Sequence, residues 1–425
     1  MHDNSITGKP RLPRLFHGWL VVAAAFLVGL YGFGLGFYGP GIYLVALKEL
    51  HGWPVDELSS AITTYYVLGA TLLFFWVGSL FDRLGARKMV LAGTVAMASG
   101  TVLLAHVTRP WQVYAAFAVM AAGWATMSGA AINIIVAPWF DKRRGLAVSW
   151  ALNGASAGGV IIAPLLTFLT TRFGFAVAIE SLTASMLAIL IPVAGVVLRP
   201  KRADEYDPVD GASDAGKSSI ASPGAPSGFR LTPVLRSGVF ISISLAFALG
   251  LTAQVGFLTH QVAFLAPTIG TVAAGWAVSL TTSAAVLGRI ATGYIADRFD
   301  RRTVACVNFI VQTLGMTVFA TATTPALLYM GCVLFGLGVG NTTSLPGLLV
   351  QQDFPKQHFA RIVSLVVAIN QFSFAFGPIL LGQLEHAEGT YSTGLLVCLS
   401  MEAVAAIIVV SPAIARQRKA GRFTD

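Results

Sequence analysis

Apolar runs of twenty or more residues alternate with short polar connections along almost the whole chain, and this pattern predicts a stack of long helices. At 1.5 Å per residue, about 20 residues cross roughly 30 Å of hydrocarbon. Twelve such spans are read at 17–48, 56–81, 87–107, 110–138, 143–171 and 173–198, and at 233–265, 271–296, 301–322, 325–352, 358–384 and 390–413. The segment 199–232 breaks the rhythm: KRADEYDPVDGASDAGKSSIASPGAPSG is rich in Asp, Ser, Gly and Pro and cannot bury a core. The expected organisation is a tail (1–16), a six-helix bundle (17–198), a flexible linker (199–232), a second six-helix bundle (233–413) and a tail (414–425). The fold class is therefore an all-α polytopic membrane protein.

Charge orients the array. Only 11% of the 425 residues are charged, far below the roughly 25% of soluble domains, and the surroundings are a lipid bilayer. Of 28 Lys and Arg residues, 24 fall in the tails, the linker and alternate connections, three (Lys48, Arg109, Arg172) on the opposite side, and one, Arg289, inside a span. This sorting predicts both termini on the cytoplasmic side, with the bacterial inner membrane the expected location. The net charge of +9 is thus a topology signal rather than a nucleic-acid surface. The first apolar run lacks a small-residue cleavage site and is expected to remain as a span. Cys306, Cys332 and Cys398 lie in different spans without metal-ligand spacing and read as packed thiols. Neither a nucleophile motif nor a phosphate-binding loop occurs, so neither enzymatic activity nor a cofactor is expected, and gradients must supply energy.

The two halves also repeat in sequence. Gly78-Ser79-Leu80-Phe81-Asp82-Arg83-Leu84-Gly85-Ala86-Arg87-Lys88 recurs 215 positions later as Gly293-Tyr294-Ile295-Ala296-Asp297-Arg298-Phe299-Asp300-Arg301-Arg302. Phe140-Asp141-Lys142 with Pro164 recurs 214 positions later as Phe354-Pro355-Lys356 with Pro378, which argues for a duplicated unit. With twelve spans and this loop signature, the chain resembles the major facilitator superfamily; its second copy is looser, with Asp300 in place of a glycine. The resemblance implies two bundles with pseudo-two-fold symmetry rocking around a site near mid-membrane. It further implies gating by Gly78, Asp82, Arg83, Gly85 and Arg87 and by Gly293, Asp297 and Arg298, through pairs that form in one conformation and break in another. The alternative for Arg87, Lys88, Arg301 and Arg302 is that they only mark the cytoplasmic face.

Arg289 is a permanent charge at membrane depth, costing roughly 2.5–3.5 kcal/mol or more unless an anion offsets it. It precedes Asp297 by eight residues, about 12 Å along a helix, close to mid-depth. It reads as an anion site, the alternative being an ion pair with Glu402. His17-Gly18-Trp19 and Trp139-Phe140-Asp141-Lys142-Arg143-Arg144-Gly145-Leu146-Ala147, continuing to Asn153 and Gly158-Gly159, resemble the monocarboxylate transporter family and its oxalate/formate-exchanger relatives. In that family an eighth-span arginine holds the substrate carboxylate, and Arg289 matches it. Two departures follow: Ala285 and Gly41 stand where mammalian-type members carry an Asp and a Lys, and Asn370-Gln371 stand where the oxalate exchanger has a second cation. One buried cation favours a monoanion.

His260 is a candidate either for carrying a proton or for bonding substrate, the alternative being a satisfied histidine near a helix end. Glu402 and Glu180 are further proton-coupling candidates, Glu180 lying near an interface. Tyr38, Tyr65, Tyr66, Trp124, Ser128, Asn153, Gln254, Asn341, Asn370 and Gln371 occupy cavity-prone spans. Of these, Tyr38, Tyr65, Trp124, Asn153, Gln254, Asn341, Asn370 and Gln371 join Arg289 and His260 as expected substrate contacts. The expected function is secondary active transport of small, lactate- or pyruvate-like monocarboxylates by alternating access, through proton symport or anion antiport. The alternatives are a carrier of another organic anion or drug-like solute, including efflux, and a non-transporting sensor.

Overall fold

The computed structural model describes residues 16–140, 143–201, 205, 234–296, 298–355 and 359–421, and the apolar runs form helices close to the predicted boundaries. Among the described residues, ten helices are long and apolar enough to cross a membrane. The difference from twelve lies in two places. Val55–Ala105 runs for 51 residues, too long for one crossing. It breaks at Gly85 (φ 78°, ψ 160°), in the middle of the loop signature, a conformation that a residue with a Cβ avoids. The region after Ala322 instead forms two shorter helices, Pro325–Val339 and Leu345–Asp353, separated by the unwound residues 340–344. The N-terminal tail 1–15, Asp141 and Lys142, nearly all of the linker, Asp297, Lys356 and residues 422–425 lie outside the described residues.

Defects in the helices repeat with the same offset as the sequence. Ser128 (φ −69°, ψ 170°) interrupts Pro110–Trp139, and 214 residues later the chain is in the unwound segment 340–344. The π-turn Gly158–Ile162 maps in the same way onto 372–376, where one helix ends at Phe374 and the next begins at Gly377. Irregular backbone at membrane depth is tolerated only where protein or a cavity satisfies it. The duplication has therefore kept the places where backbone is open as well as the spans.

Prolines explain two of these openings. Pro40 has no N–H to return to the Gly36 carbonyl, and the helix widens into a π-turn over Gly34–Tyr38. Three tyrosine hydroxyls cover the exposed acceptors: Tyr43 donates to Leu35 O (3.0 Å), Tyr65 to Gly36 O (2.8 Å) and Tyr66 to Phe37 O (3.2 Å). Pro164 likewise cannot reach the Val160 carbonyl, which accepts from Ser279 Oγ of the other half at 3.0 Å.

The halves meet at one face. Contacts between them join Gly39–His51 to Gly238–Ile269, Val55–Leu72 to Gly377–Glu388, and Ala163–Phe173 to Thr271–Ala296. Glycines set the separation: a Cβ on Gly41 would lie 2.5 Å from Thr259 O, on Gly159 2.7 Å from Thr282 Oγ1, and on Gly275 2.7 Å from Thr167. An ion pair, Lys48–Glu385 (3.3 Å), and a carboxylate–imidazole contact, Asp56–His386 (3.4 Å), rim this face. At the other face, which carries the 78–88 loop, Asp82, Arg83, Arg87 and Arg298 are exposed and make no side-chain hydrogen bond or ion pair among the described residues. Among the described residues, the halves are thus fastened at one face and not at the loop face.

Asp300, Arg301 and Arg302 of the second copy of the loop are tied down within their own half. Arg302 is buried and pairs with Asp353 at 2.7 Å while donating to Val409 O at 2.5 Å, so it does more than mark a face. Asp300 caps Arg301–Thr321, accepting from Thr303 N–H at 2.9 Å. Partial burial opposes its charge, but bonds from Thr303 and Gln352 outweigh this and hold its carboxyl below the ordinary aspartate range.

Candidate functional site

Arg289 sits on Thr271–Ala296, half-buried, two turns from Thr282 at the seam between the halves. Its Nε donates to the carbonyl of Gly340 at 3.1 Å. Gly340 belongs to the unwound segment, and a Cβ there would lie 3.4 Å from Nε, so the glycine lets this strip of backbone come up against the guanidinium. One of five donors is spent on orienting the group. The two terminal nitrogens take no partner among the described residues, and no carboxylate lies within ion-pair distance. That leaves the fork that binds a carboxylate through two parallel bonds. Ala285, one turn away, is buried and adds no charge.

Tyr38 lies at the same seam, on the first helix. Its ring packs on Gly159, where an added Cβ would lie 2.8 Å from Tyr38 Cζ and 2.7 Å from Thr282 Oγ1 of the helix that carries Arg289. The π-turn that carries it also presents Phe37, whose ring stacks on Trp124 at 6.0 Å and 18°, with Phe33 edge-on to Trp124 at 5.0 Å. Trp124 is nearly buried, seated against Gly36 and Gly69, where added Cβ atoms would lie 3.1 and 2.7 Å from it. Asn153 and Gln371 are half-buried without a side-chain hydrogen bond among the described residues, and Gln254 Oε1 and Asn370 Oδ1 are buried without a partner.

Several expected site residues stand elsewhere. Tyr65 is fully buried behind the π-turn, with its hydroxyl committed to Gly36, so it braces the site rather than lining it. Asn341 is turned to Asn308 at 2.9 Å, although its neighbour Gly340 touches Arg289. His260 is fully buried in the fastened face, bonded to Pro378 O (3.0 Å), the Tyr391 hydroxyl (3.0 Å) and Ser59 Oγ of the other half (3.3 Å). It is the satisfied histidine of the two readings, and it also ties the halves together. Glu402 forms no ion pair with Arg289: both its oxygens are buried without a partner. Glu180 pairs with His106 at 2.7 Å in an exposed position, as its interfacial placement implied. Of the loop residues expected to gate, Asp297 lies outside the described residues, while Gly78 and Gly293 have open space around them.

Sequence reasoning passed over Phe33 and Phe37, the Gly340 carbonyl, and Asp56, Glu385 and His386 at the rim. The signals were present: Gly34-x-Gly36 ahead of Pro40 foretells an opened helix, and Glu385-His386 ends an apolar run opposite Lys48 in the charge sorting.

Two helical halves thus meet beside a half-buried arginine whose terminal nitrogens take no partner among the described residues, and comparison with known proteins gives the class. The Major Facilitator Superfamily profile matches residues 24–378. The chain belongs to that superfamily and is a multi-pass membrane transporter. It is 26% identical over 387 residues to MFS transporter asaE of Aspergillus flavus, covering 88% of this chain and 81% of the relative. It is 27% identical over 417 residues to monocarboxylate transporter 11 of Mus musculus (90% and 84%). It is also 27% identical over 322 residues to a fujikurins efflux protein of Gibberella fujikuroi (73% and 64%). Among solved structures, a variant of the nucleoside transporter NupG superposes with a TM-score of 0.72 at 15% identity, covering 92% of this chain and 99% of that one, a likeness of fold alone.

Proposed function

We propose that the protein is a secondary active carrier of organic monocarboxylates, working by alternating access, with the substrate carboxylate held by the terminal nitrogens of Arg289. The observation that carries this reading is the state of that guanidinium: half-buried at membrane depth, oriented through Nε, and otherwise unpaired. A buried cation without a counter-ion is costly, and a monoanion offsets the cost. The relatives named as monocarboxylate transporters support the substrate class, and lactate and pyruvate are the first acids to test. Transport is driven by proton cotransport or anion exchange, with both termini cytoplasmic in a bacterial inner membrane. In that orientation the loop face opens inward. Export of a bulkier organic anion is the second reading, favoured by the relative named for fujikurins efflux.

The test is uptake of a panel of labelled acids into proteoliposomes, with and without a pH gradient, by the wild-type protein and by Arg289→Lys and Arg289→Ala. Loss of the bidentate fork in Arg289→Lys lowers flux at least tenfold, and Arg289→Ala abolishes it, with both variants remaining monodisperse. Near-normal flux in either variant overturns the assignment.

A further inference from the structure

We propose that the acid this site accepts carries a flat aromatic body, which lies on the wall formed by Phe33, Phe37 and Tyr38 and backed by the buried Trp124, while its carboxylate sits on Arg289; the proposal rests on the carboxylate reading above. Four observations lead there. The rings form one connected surface: Phe33–Trp124 at 5.0 Å, Phe37–Trp124 at 6.0 Å and Phe37–Tyr38 at 5.2 Å between centroids. Phe33, Phe37 and Tyr38 are only half-buried, so part of each ring is left uncovered by protein. The wall ends at Tyr38, whose ring meets Thr282 at Gly159, on the helix that carries Arg289 two turns further on, so an anionic group and an aromatic body on one small molecule span the two.

The wall is also held rigid. Glycines on two helices make room for Trp124, and the Tyr66 hydroxyl fixes the Phe37 carbonyl. A three-carbon acid on Arg289 leaves these ring faces bare. An aryl acid covers them with offset or edge-on contacts, which aromatic pairs favour. A preformed surface of this kind adds affinity because little freedom is lost when the ligand lands. Ligand sites commonly combine such an apolar lining with a single charged group that fixes orientation.

The experiment measures binding to the purified full chain by isothermal titration with pyruvate, phenylpyruvate, benzoate and benzamide, for the wild type, Phe37→Leu and Arg289→Lys. Phenylpyruvate is expected to bind at least tenfold more tightly than pyruvate. Phe37→Leu, which keeps apolar volume but removes the ring, is expected to bring the ratio of phenylpyruvate to pyruvate affinity close to one. If Phe37→Leu does not purify as a folded protein, Phe33→Leu carries the same comparison. Equal affinities for pyruvate and phenylpyruvate, or an advantage that survives loss of the ring, overturn the aromatic assignment and leave the carboxylate reading standing. Benzamide binding as tightly as benzoate, affinities unaffected by Arg289→Lys, or no binding by any acid overturn the carboxylate reading and this proposal with it.

Discussion

Replacing Gly41 by Ala should shift the protein away from the conformation in which the face opposite the loops is closed. A Cβ at this position lies 2.5 Å from the Thr259 carbonyl oxygen of the other half. Restoring ordinary contact requires the two helices to separate by about 1 Å, and the neighbouring close approaches at Gly159 and Gly275 resist that movement. Overpacking of this kind costs about 1–3 kcal/mol, roughly a 5- to 150-fold change in the equilibrium between the two conformations. The better helix propensity of Ala, about 1 kcal/mol, acts in both conformations and cancels from that equilibrium. Spin labels at Leu84→Cys and Phe299→Cys, exposed residues at the loop face of each half, report the separation there. Gly41→Ala should populate shorter distances, while Gly238→Ala, whose Cβ would meet nothing within 4 Å, should not. A distance distribution unchanged by Gly41→Ala, or one matched by Gly238→Ala, refutes the claim that a glycine seam closes this face.

The rim ion pair should matter less than the seam: Lys48 is half-exposed, and such pairs contribute about 0–1 kcal/mol, so Glu385→Gln should move the same distances less than Gly41→Ala and lose its effect in high salt. Tyr65→Phe removes the hydroxyl from the buried Gly36 carbonyl, which Pro40 cannot replace, and should lower stability by about 1–3 kcal/mol in thermal unfolding while leaving the Phe37 and Trp124 packing in place. Asp300→Ala deletes a helix cap and should cost about 1 kcal/mol. Because the folded pKa of Asp300 is depressed, its contribution is present above the ordinary aspartate range and is lost as pH falls through its folded value. Hydrogen exchange near Thr303 should therefore accelerate in acid in the wild type, and Asp300→Ala should lack that acid-dependent increment.

Most of the architecture is legible in the sequence because membrane insertion imposes a single long-period rule: each crossing needs about 20 apolar residues with internally satisfied backbone. Span positions, the duplication at Gly78 and Gly293, and Arg289 as a buried cation follow from that rule and from counting charges. The same counting could not say which way a polar side chain faces. Tyr38 and Tyr65 look alike in sequence, yet one lies at the seam against Gly159 and Thr282 and the other is tied to Gly36 behind a π-turn. Glu402 was a plausible partner for Arg289 by residue type alone, but it lies unpartnered elsewhere. His260 reads in sequence either as a proton or substrate site or as a satisfied histidine, and its contacts through Nε2 with Ser59 and Pro378, residues more than a hundred positions away, are visible only in the fold. What the sequence determined by itself is everything governed by local hydrophobicity and charge: how many times the chain is driven into lipid and where a charge is stranded there. Only the tertiary structure decided which carbonyls the prolines open, which tyrosines close them, and which guanidinium nitrogens are left for a ligand, because those outcomes depend on distances between helices far apart in the chain.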